Sequence, residues 1–425
     1  MTFRSEEKFV EIPEVSDDGV RNLTIHRIEE LTLKLIEEIS SRTFPKLTYK
    51  EARKGGRIAE LEDSVGQFRD RQTDARNLND CALDLLTSFD SSKSLSWIVD
   101  DEETPPNDIA QNPVNKDLES EKDPDASRSI TVDFRRKNSR KNLALLVTLM
   151  SYVHKMLINR TSKTRRSLYY ELQSERNSAG LAKNQRILDT AVNHVASLLE
   201  CSPWELGFTA TSKGLVYGDL SLTFSKEDLV SCEVAGGVLI PQNVNRVTSA
   251  RTSARYVLVV EKDAVFQRLI GEECTQYLNC ILVTGKGYPD VNTRMLVNFL
   301  GNKLKLPVYV LVDADPFGIE IMCIYRFGSA TRSREDRQLA FPDARWIGIH
   351  PSEFSALGLS SKPLVASDKA KIAGLKSRGY VDETILDQLQ LLQAGKVDIE
   401  AVAGLSNRFL TTVYLSSKIS TENYL

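Results

Sequence analysis

Four short, largely apolar runs constrain this chain more than any other feature: YVLVV at 256–260, CILVT at 280–284, VYVLV at 308–312 and RWIGI at 345–349. Each is short for a helix and lacks the polar alternation of a half-exposed strand. Each therefore reads as a strand buried on both faces. Helical stretches separate the runs, and alternating β and α units predict a parallel sheet covered on both sides. The expected class is α/β and multi-domain.

Ligands of open α/β sheets collect beyond the carboxyl ends of the strands, and two of the runs end there in acid. The first runs into Glu261, the third into Asp313-Ala314-Asp315-Pro316-Phe317-Gly318. Alternate residues of an extended segment face the same way, so Asp313 and Asp315 can converge. With Glu261 they would form a three-carboxylate oxygen site. Such hard ligands suit Mg²⁺, which keeps several waters and accepts substrate phosphate. A bound cation would also relieve the repulsion among the three charges. A DxD sequence by itself can equally cap a helix or a turn. Between these strands lies the loop TGKGYPD (284–290). Its glycines permit close backbone approach, and Lys286 could meet a phosphate. The GxxxxGK[ST] pattern of a P-loop is absent.

The amino-terminal half has another rhythm. Ile25, Ile28, Leu31, Leu35 and Ile39 form an apolar stripe that predicts a helix from about Arg21 to Arg42, serving as core or as a docking face. From about Ser91 to Ser129 acidic and small polar residues dominate, which reads as a disordered insertion. A basic cluster follows (Arg135, Arg136, Lys137, Arg140, Lys141), either a solvated face or a phosphate contact. Order is expected from Leu143, with Leu143, Leu146, Val147, Met150, Val153 and Leu157 marking a helix. Arg160, Lys163, Arg165 and Arg166 then lead into Leu168-Tyr169-Tyr170. A further helix is expected from about Asn184 to Glu200, with Ile187, Ala191, Val195, Leu198 and Leu199 inward and His194 structural. TSKGLVYGDLSLTF (211–224) reads as a hairpin with turn glycines Gly214 and Gly218. Helices followed by a hairpin beside basic residues suggest a winged helix-turn-helix, which docks a helix in the major groove and a wing on the backbone. Beyond about Lys362 the chain reads as helices, including Asp382–Gln393. The expected division is a helical region at 1–90, the acidic insertion at 91–142, a winged-helix domain at 143–230 and the strand-rich domain with its C-terminal helices at 231–425.

Composition narrows the chemistry. The chain is 41% hydrophobic and 27% charged, as an ordinary soluble protein is. It has no apolar run of about 18 residues to span a membrane, and its start has no apolar signal region, so secretion is not expected. None of the six cysteines forms a CxxC pair, which argues against a zinc module and for a reducing compartment. The four histidines are dispersed. No GxSxG elbow and no Cys/His pair is present, which leaves Tyr169 and Tyr170 as candidate nucleophiles. A phenol ionises near pH ~10 and needs a neighbouring cation, base or metal-bound hydroxide. Attack on a DNA phosphate would leave a phosphotyrosyl link, while Mg²⁺ would stabilise charge on the phosphoryl oxygens. Tyrosine pairs are also ordinary packing.

Several segments, in order, resemble one family. EKDAVF (261–266), GKGYPD (285–290), VDADPFG (312–318), YRFGS (325–329) and WIGIHPSEF (346–354) resemble the Toprim domain of type IIB topoisomerase A subunits. RRSLYYEL (165–172) and TSKGLVYG (211–218) resemble the winged-helix domain of the same family. The family contains the A subunit of topoisomerase VI and the eukaryotic meiotic protein that makes DNA double-strand breaks. The resemblance implies that Tyr170 is the nucleophile and that Arg166 binds the scissile phosphate. It implies that Glu261, Asp313 and Asp315 hold Mg²⁺ and that Lys213 touches double-stranded DNA, with Arg165 and Lys286 as further DNA contacts. Ser167 stands where the family commonly has an acid, a departure that touches local helix capping. The resemblance further implies a homodimer whose active sites join one subunit's tyrosine to the other's metal acids, a B-type partner that the first helix could dock, accessory recombination proteins and no membrane. The long acidic insertion favours the meiotic branch, and with it a place on chromosomes in the nucleus. The alternative is a topoisomerase VI A subunit that relaxes supercoiled DNA with an ATPase partner.

Overall fold

The computed structural model describes residues 7–11, 17–51, 128–174, 180–224, 228–242, 244–328 and 338–425. The expected acidic insertion lies outside them up to residue 127. The described strands are β1 (Lys8–Glu11), β2 (Lys46–Glu51), β3 (Arg128–Asp133), β4 (Lys163–Thr164), β5 (Phe208–Thr209), β6 (Leu215–Tyr217), β7 (Ser221–Thr223), β8 (Leu229–Ser231), β9 (Val238–Leu239), β10 (Ser249–Thr252), β11 (Tyr256–Val260), β12 (Cys280–Thr284), β13 (Val308–Leu311) and β14 (Arg345–Gly348).

The four apolar runs form the heart of a six-stranded sheet ordered β14-β13-β11-β12-β6-β9. β11 pairs in parallel with β12 and β13, and β13 in parallel with β14. Their residues divide between two cores. Val257, Val259, Val308, Val310, Ile281 and Val283 face helices Val291–Asn302, Pro316–Phe327, Ala366–Lys376 and Glu383–Leu391. Tyr256, Leu258, Val260, Leu282, Tyr309 and Leu311 face helices Asp263–Gly271 and Ile399–Ala403 and the π-helical turn Leu410–Leu415. Burial on both faces is why the runs carry no polar alternation. Each fully buried aliphatic side chain contributes roughly 1.5–3 kcal/mol relative to exposure. No described helix is long and apolar enough to cross a membrane.

The segment 211–224 departs from the expected hairpin. β6 pairs antiparallel with β12 and β9 at the edge of the central sheet. β7 instead pairs with β10 and β8, in a separate antiparallel sheet ordered β1-β10-β7-β8. The chain changes sheet at Gly218, whose φ is +128° and where a Cβ would lie 3.0 Å from the Cys280 carbonyl oxygen. Two strands that read locally as a pair find better partners in distant chain. The central sheet consequently recruits chain from Leu215, upstream of the boundary expected at 231.

The amino-terminal part has its own core. Helix Asp17–Ser40 buries Ile28 and Leu35, whereas Ile39 is exposed. Arg21 and Arg27 anchor it by donating to the carbonyls of Leu157 (3.1 Å) and Leu199 (2.6 Å). β2 and β3 pair antiparallel, from Lys46 opposite Asp133 to Glu51 opposite Arg128. Order therefore begins upstream of Leu143: alternation in β3 buries Val132, and the next helix already starts at Lys137. The basic cluster is partly tied down locally, Arg135 on Asp133 (2.8 Å) and Arg140 on the Phe134 carbonyl (3.0 Å). Helix Gln185–Leu198 buries Leu188, Ala191, Val192 and Val195, while Ile187 is exposed. Of the residues expected inward, Ala191, Val195 and Leu199 are buried and Leu198 is half-buried, and Leu188 takes the place of Ile187. His194 packs against Tyr49, ring centroids 4.7 Å apart.

After β14, a buried polar network fastens the carboxyl-terminal chain to the sheet. His350 Nε2 lies 3.0 Å from the Trp346 carbonyl and must donate to it, so Nδ1 accepts from Lys418 Nζ at 2.9 Å. Glu353 accepts from Lys418 (2.5 Å), Tyr414 (2.6 Å) and the His350 N–H (3.0 Å). Burial, then the Lys418 charge, push the His350 imidazole down to about 4. A cationic group with a depressed folded pKa stabilises fully above its unfolded value near ~6.5 and loses that contribution as pH falls toward the folded value. The His350 contribution to stability is therefore expected to fall by on the order of 3 kcal/mol between pH ~6.5 and ~4, a loss that His350→Gln does not share. Urea unfolding across this window measures it, and equal slopes for the two chains would refute the assignment.

Candidate active site and nucleic-acid interface

The carboxyl ends of β11 and β13 lie side by side. Glu261 leaves β11, and its Oε2 accepts from the Asp313 N–H at 2.9 Å. Asp313 is buried; its Oδ1 accepts from the Ile399 N–H (2.8 Å) and its Oδ2 from Lys262 Nζ (2.8 Å). Asp315 caps helix Pro316–Phe327 through the Gly318 N–H (2.7 Å), with Pro316 at the first turn. The carboxyl-terminal chain closes over this loop, since Ala314 and Val397 exchange backbone hydrogen bonds of 2.9 and 3.1 Å. Gly318 makes the turn possible, because a Cβ there would lie 2.3 Å from the Asp313 carbonyl oxygen.

Charge is out of balance here. Burial, then the Asp313 and Asp315 charges, push the Glu261 carboxyl up to about 8, against the stabilising Asp313 N–H. Burial and the Asp315 charge raise Asp313 to about 6, against the pull of Lys262 and Ile399. Burial likewise raises Asp315. Three hard-oxygen donors that hinder one another's ionisation match a divalent cation in donor type and in missing countercharge. As they stand, no three His, Cys, Asp or Glu side chains among the described residues are gathered so as to hold a metal. Asp313 is turned to Lys262 and Ile399, and Asp315 is engaged as a cap.

The loop after β12 and the segment leading into β6 each add a cation, Lys286 and Lys213. Asp290 caps helix Val291–Asn302 through Thr293 N–H (2.8 Å) and accepts from the N–H groups of Lys213 (2.9 Å) and Gly214 (3.2 Å). Lys213 Nζ donates to the Lys286 carbonyl (3.3 Å), while Lys286 Nζ lies 3.2 Å from Asp263. The two lysines expected to meet DNA are thus neighbours. Tyr288 of this loop donates to Glu320, which Lys371 (2.7 Å) and Arg378 also bind.

Helix Arg165–Ser174 carries the tyrosines. The Thr164 hydroxyl caps it by accepting from the Ser167 N–H (3.1 Å), so no acid is needed there. Tyr169 is half-buried against the amino-terminal core. Tyr170 is 58% exposed. Arg166, one turn earlier on the same face, points Nη2 at the Tyr170 hydroxyl (3.4 Å), with its guanidinium carbon 5.9 Å from the ring centroid. That hydrogen bond, with the phenol's charge, raises the Arg166 pKa. Arg165 donates to Asn193 (3.2 Å).

Tyr170 opens into a cleft of about 1260 Å³ whose lining holds six arginines (Arg21, Arg160, Arg165, Arg166, Arg246, Arg294) against two acids (Asp189, Glu205). A small-molecule site is commonly ~300–1,000 Å³; a larger, arginine-rich groove suits a polyanion. Its lining among the described residues excludes Glu261, Asp313 and Asp315. The fold thus gathers the acids at the sheet edge and Tyr170 with Arg166 and Arg165 in the cleft, and does not join the two sets. Arg246 and Arg294 carry no mark in the sequence, because no local pattern singles them out. Lys262 and Asp290 stand inside recognisable motifs, but only their side-chain directions reveal a role.

The family model for the Toprim domain of the topoisomerase 6 A subunit and Spo11 matches residues 256–419, and that described as "Type IIB DNA topoisomerase" matches residues 141–208. The chain is 38% identical to meiotic recombination protein W68 of Drosophila melanogaster over 69% of its length and 87% of the relative's. It is 35% identical to human meiotic recombination protein SPO11 over 68% of its length and 73% of the relative's. With the A subunit of DNA topoisomerase 6 from Arabidopsis thaliana it shares 29% identity over 69% of each.

Gly318→Ala forces the helix off the Asp313 backbone. A loss of about 1–3 kcal/mol is expected, read by denaturant unfolding, with a larger change in proteolytic exposure of 313–318 than elsewhere. Wild-type stability in this variant would contradict the close packing.

Proposed function

The chain belongs to the family that unites the A subunits of type IIB DNA topoisomerases with the Spo11 meiotic recombination proteins, and from that membership we propose that it makes the DNA double-strand breaks of meiotic recombination. It is a DNA-cleaving transesterase. Greater identity to the meiotic relatives than to the topoisomerase 6 protein favours this reading over supercoil relaxation. The observation that carries the site assignment is the exposed Tyr170 hydroxyl beside Arg166 in an arginine-rich cleft.

The Tyr170 oxygen attacks a backbone phosphorus; the bond from phosphorus to the 3′ oxygen breaks, and a 5′-phosphotyrosyl link forms. The phenol proton is lost and the leaving 3′ oxygen gains one. Arg166 offers donors to the phosphate oxygens beside the attacking hydroxyl. Arg165, Lys213 and Lys286 hold the DNA backbone through phosphate contacts, which orient the duplex without reading sequence. Glu261, Asp313 and Asp315 would hold the divalent metal, taken to be Mg²⁺, which when bound supplies countercharge at the phosphoryl and leaving oxygens.

Separation of the acids from the cleft supports a homodimer in which Tyr170 of one protomer works with the acids of its partner. Helices Arg165–Ser174 and Gln185–Leu198, with the β4–β5 pair (Lys163 opposite Phe208), would form the winged-helix DNA-binding unit. Helix Asp17–Ser40 exposes Leu23 and Leu33 on one side and would offer that face to a B-type partner. The working place is the chromosome in the nucleus.

Tyr170→Phe is expected to abolish the covalent protein–DNA adduct while leaving stability and DNA binding unchanged; Tyr169→Phe keeps the adduct. Mixed dimers of Tyr170→Phe and Glu261→Gln chains hold one intact composite site, so they are expected to nick one strand where neither homodimer cuts. Absence of nicking in the mixture would defeat the composite site. ATP-dependent relaxation of supercoiled DNA by the chain with a B-type partner would favour the topoisomerase reading instead.

A further inference from the structure

Lys262 follows Glu261 directly and turns to the neighbouring strand end. Its Nζ lies 2.8 Å from Asp313 Oδ2, 2.8 Å from Glu400 Oε2 and 3.9 Å from Asp398 Oδ1. The three acids differ in surroundings. The Asp313 side chain is 5% exposed, whereas Glu400 is 48% and Asp398 33% exposed. Asp398 also receives Lys362. One ammonium is therefore shared between a buried acid at the sheet edge and two acids at the rim.

An ammonium on Asp313 and a divalent ion at the same carboxylates would repel at short range in a poorly solvated place. The lysine stem is flexible and its ammonium acts as a point charge. It can let go of Asp313 and keep Glu400 and Asp398. Asp313 meanwhile stays fixed by the Ile399 N–H on its other oxygen. These contacts define two arrangements of one charge, and metal binding would select between them.

We propose that Lys262 is a tethered cation that neutralises Asp313 in the metal-free chain and passes to Glu400 and Asp398 when a divalent ion enters, so that it sets the metal affinity of the site. The proposal rests on the reading of Glu261, Asp313 and Asp315 as metal-binding residues. Lys262 is in this sense a positioning residue. It keeps a buried acid from standing unpaired and weakens metal binding in the absence of DNA.

The test measures Mn²⁺ binding to the full chain without DNA, by calorimetry and by the electron paramagnetic resonance of free Mn²⁺, together with melting with and without Mn²⁺. Lys262→Met is expected to bind Mn²⁺ at least about tenfold more tightly. It is expected to melt lower without Mn²⁺ and to recover when Mn²⁺ is added. Glu400→Gln leaves Asp313 its lysine but removes the nearer of the two landing places, so Mn²⁺ binding weakens by about threefold or more. Glu261→Gln loses binding. Unchanged or weaker binding by Lys262→Met, with Glu261→Gln still deficient, overturns the role of the lysine and spares the metal site. Binding unaffected by Glu261→Gln overturns both. If Lys262→Met does not fold, Glu400→Gln decides, and unaltered affinity there overturns the proposal.

Discussion

Everything in the candidate centre depends on two strand ends held together by a hydrogen bond between like-charged residues, the Asp313 N–H and the Glu261 carboxylate. The bond is local and short, but its cause is the whole sheet. β11 and β13 are parallel neighbours, with Val257 opposite Val308, and parallel neighbours finish at the same edge. Two apolar cores drive this pairing. The acids are carried to a crowded, poorly hydrated edge as a by-product, and the cost appears as raised carboxyl pKa values. Folding energy supplied by valines and leucines far from the edge thus sustains an electrostatic arrangement that three carboxylates would not adopt by themselves.

The second half of the centre obeys a different rule. A tyrosine proposed to attack DNA needs exposure rather than burial, and Tyr170 has it because Leu168 and Leu172 turn the opposite face of its helix into the amino-terminal core. The spacing that buries those leucines leaves Arg166 and Tyr170 together on the open side. One helix therefore anchors itself and presents Arg166 and Tyr170 together with a single apolar stripe. The arginines that surround them come from several elements, so the field of the cleft is a property of the assembled chain.

Much of this is legible in the residues alone. Buried parallel strands announce themselves by unbroken β-branched runs, and acids at their ends follow by simple adjacency. What the sequence does not display depends on partners distant in the chain. TSKGLVYGDLSLTF has the marks of a hairpin, yet β12 and β10 compete for its two strands and win. β3 is hidden in the shadow of an acidic stretch because its pairing with β2 spans a long sequence separation. Ile187 looks as apolar as Leu188, and only the direction of the neighbouring helix separates them. The contacts of Lys262 with Asp313 and Glu400 are a matter of torsions, which no residue pattern encodes.

The β2–β3 ladder has a consequence of its own. Glu51 and Arg128 are opposite each other, with Leu47 and Val132 sealing the pair into the core below. Chain therefore leaves and re-enters this ladder at neighbouring points. Loop-closure entropy grows only logarithmically, by ~0.6 kcal/mol per doubling of length. A change in the number of residues between Glu51 and Arg128 therefore costs little closure entropy as long as this ladder is kept.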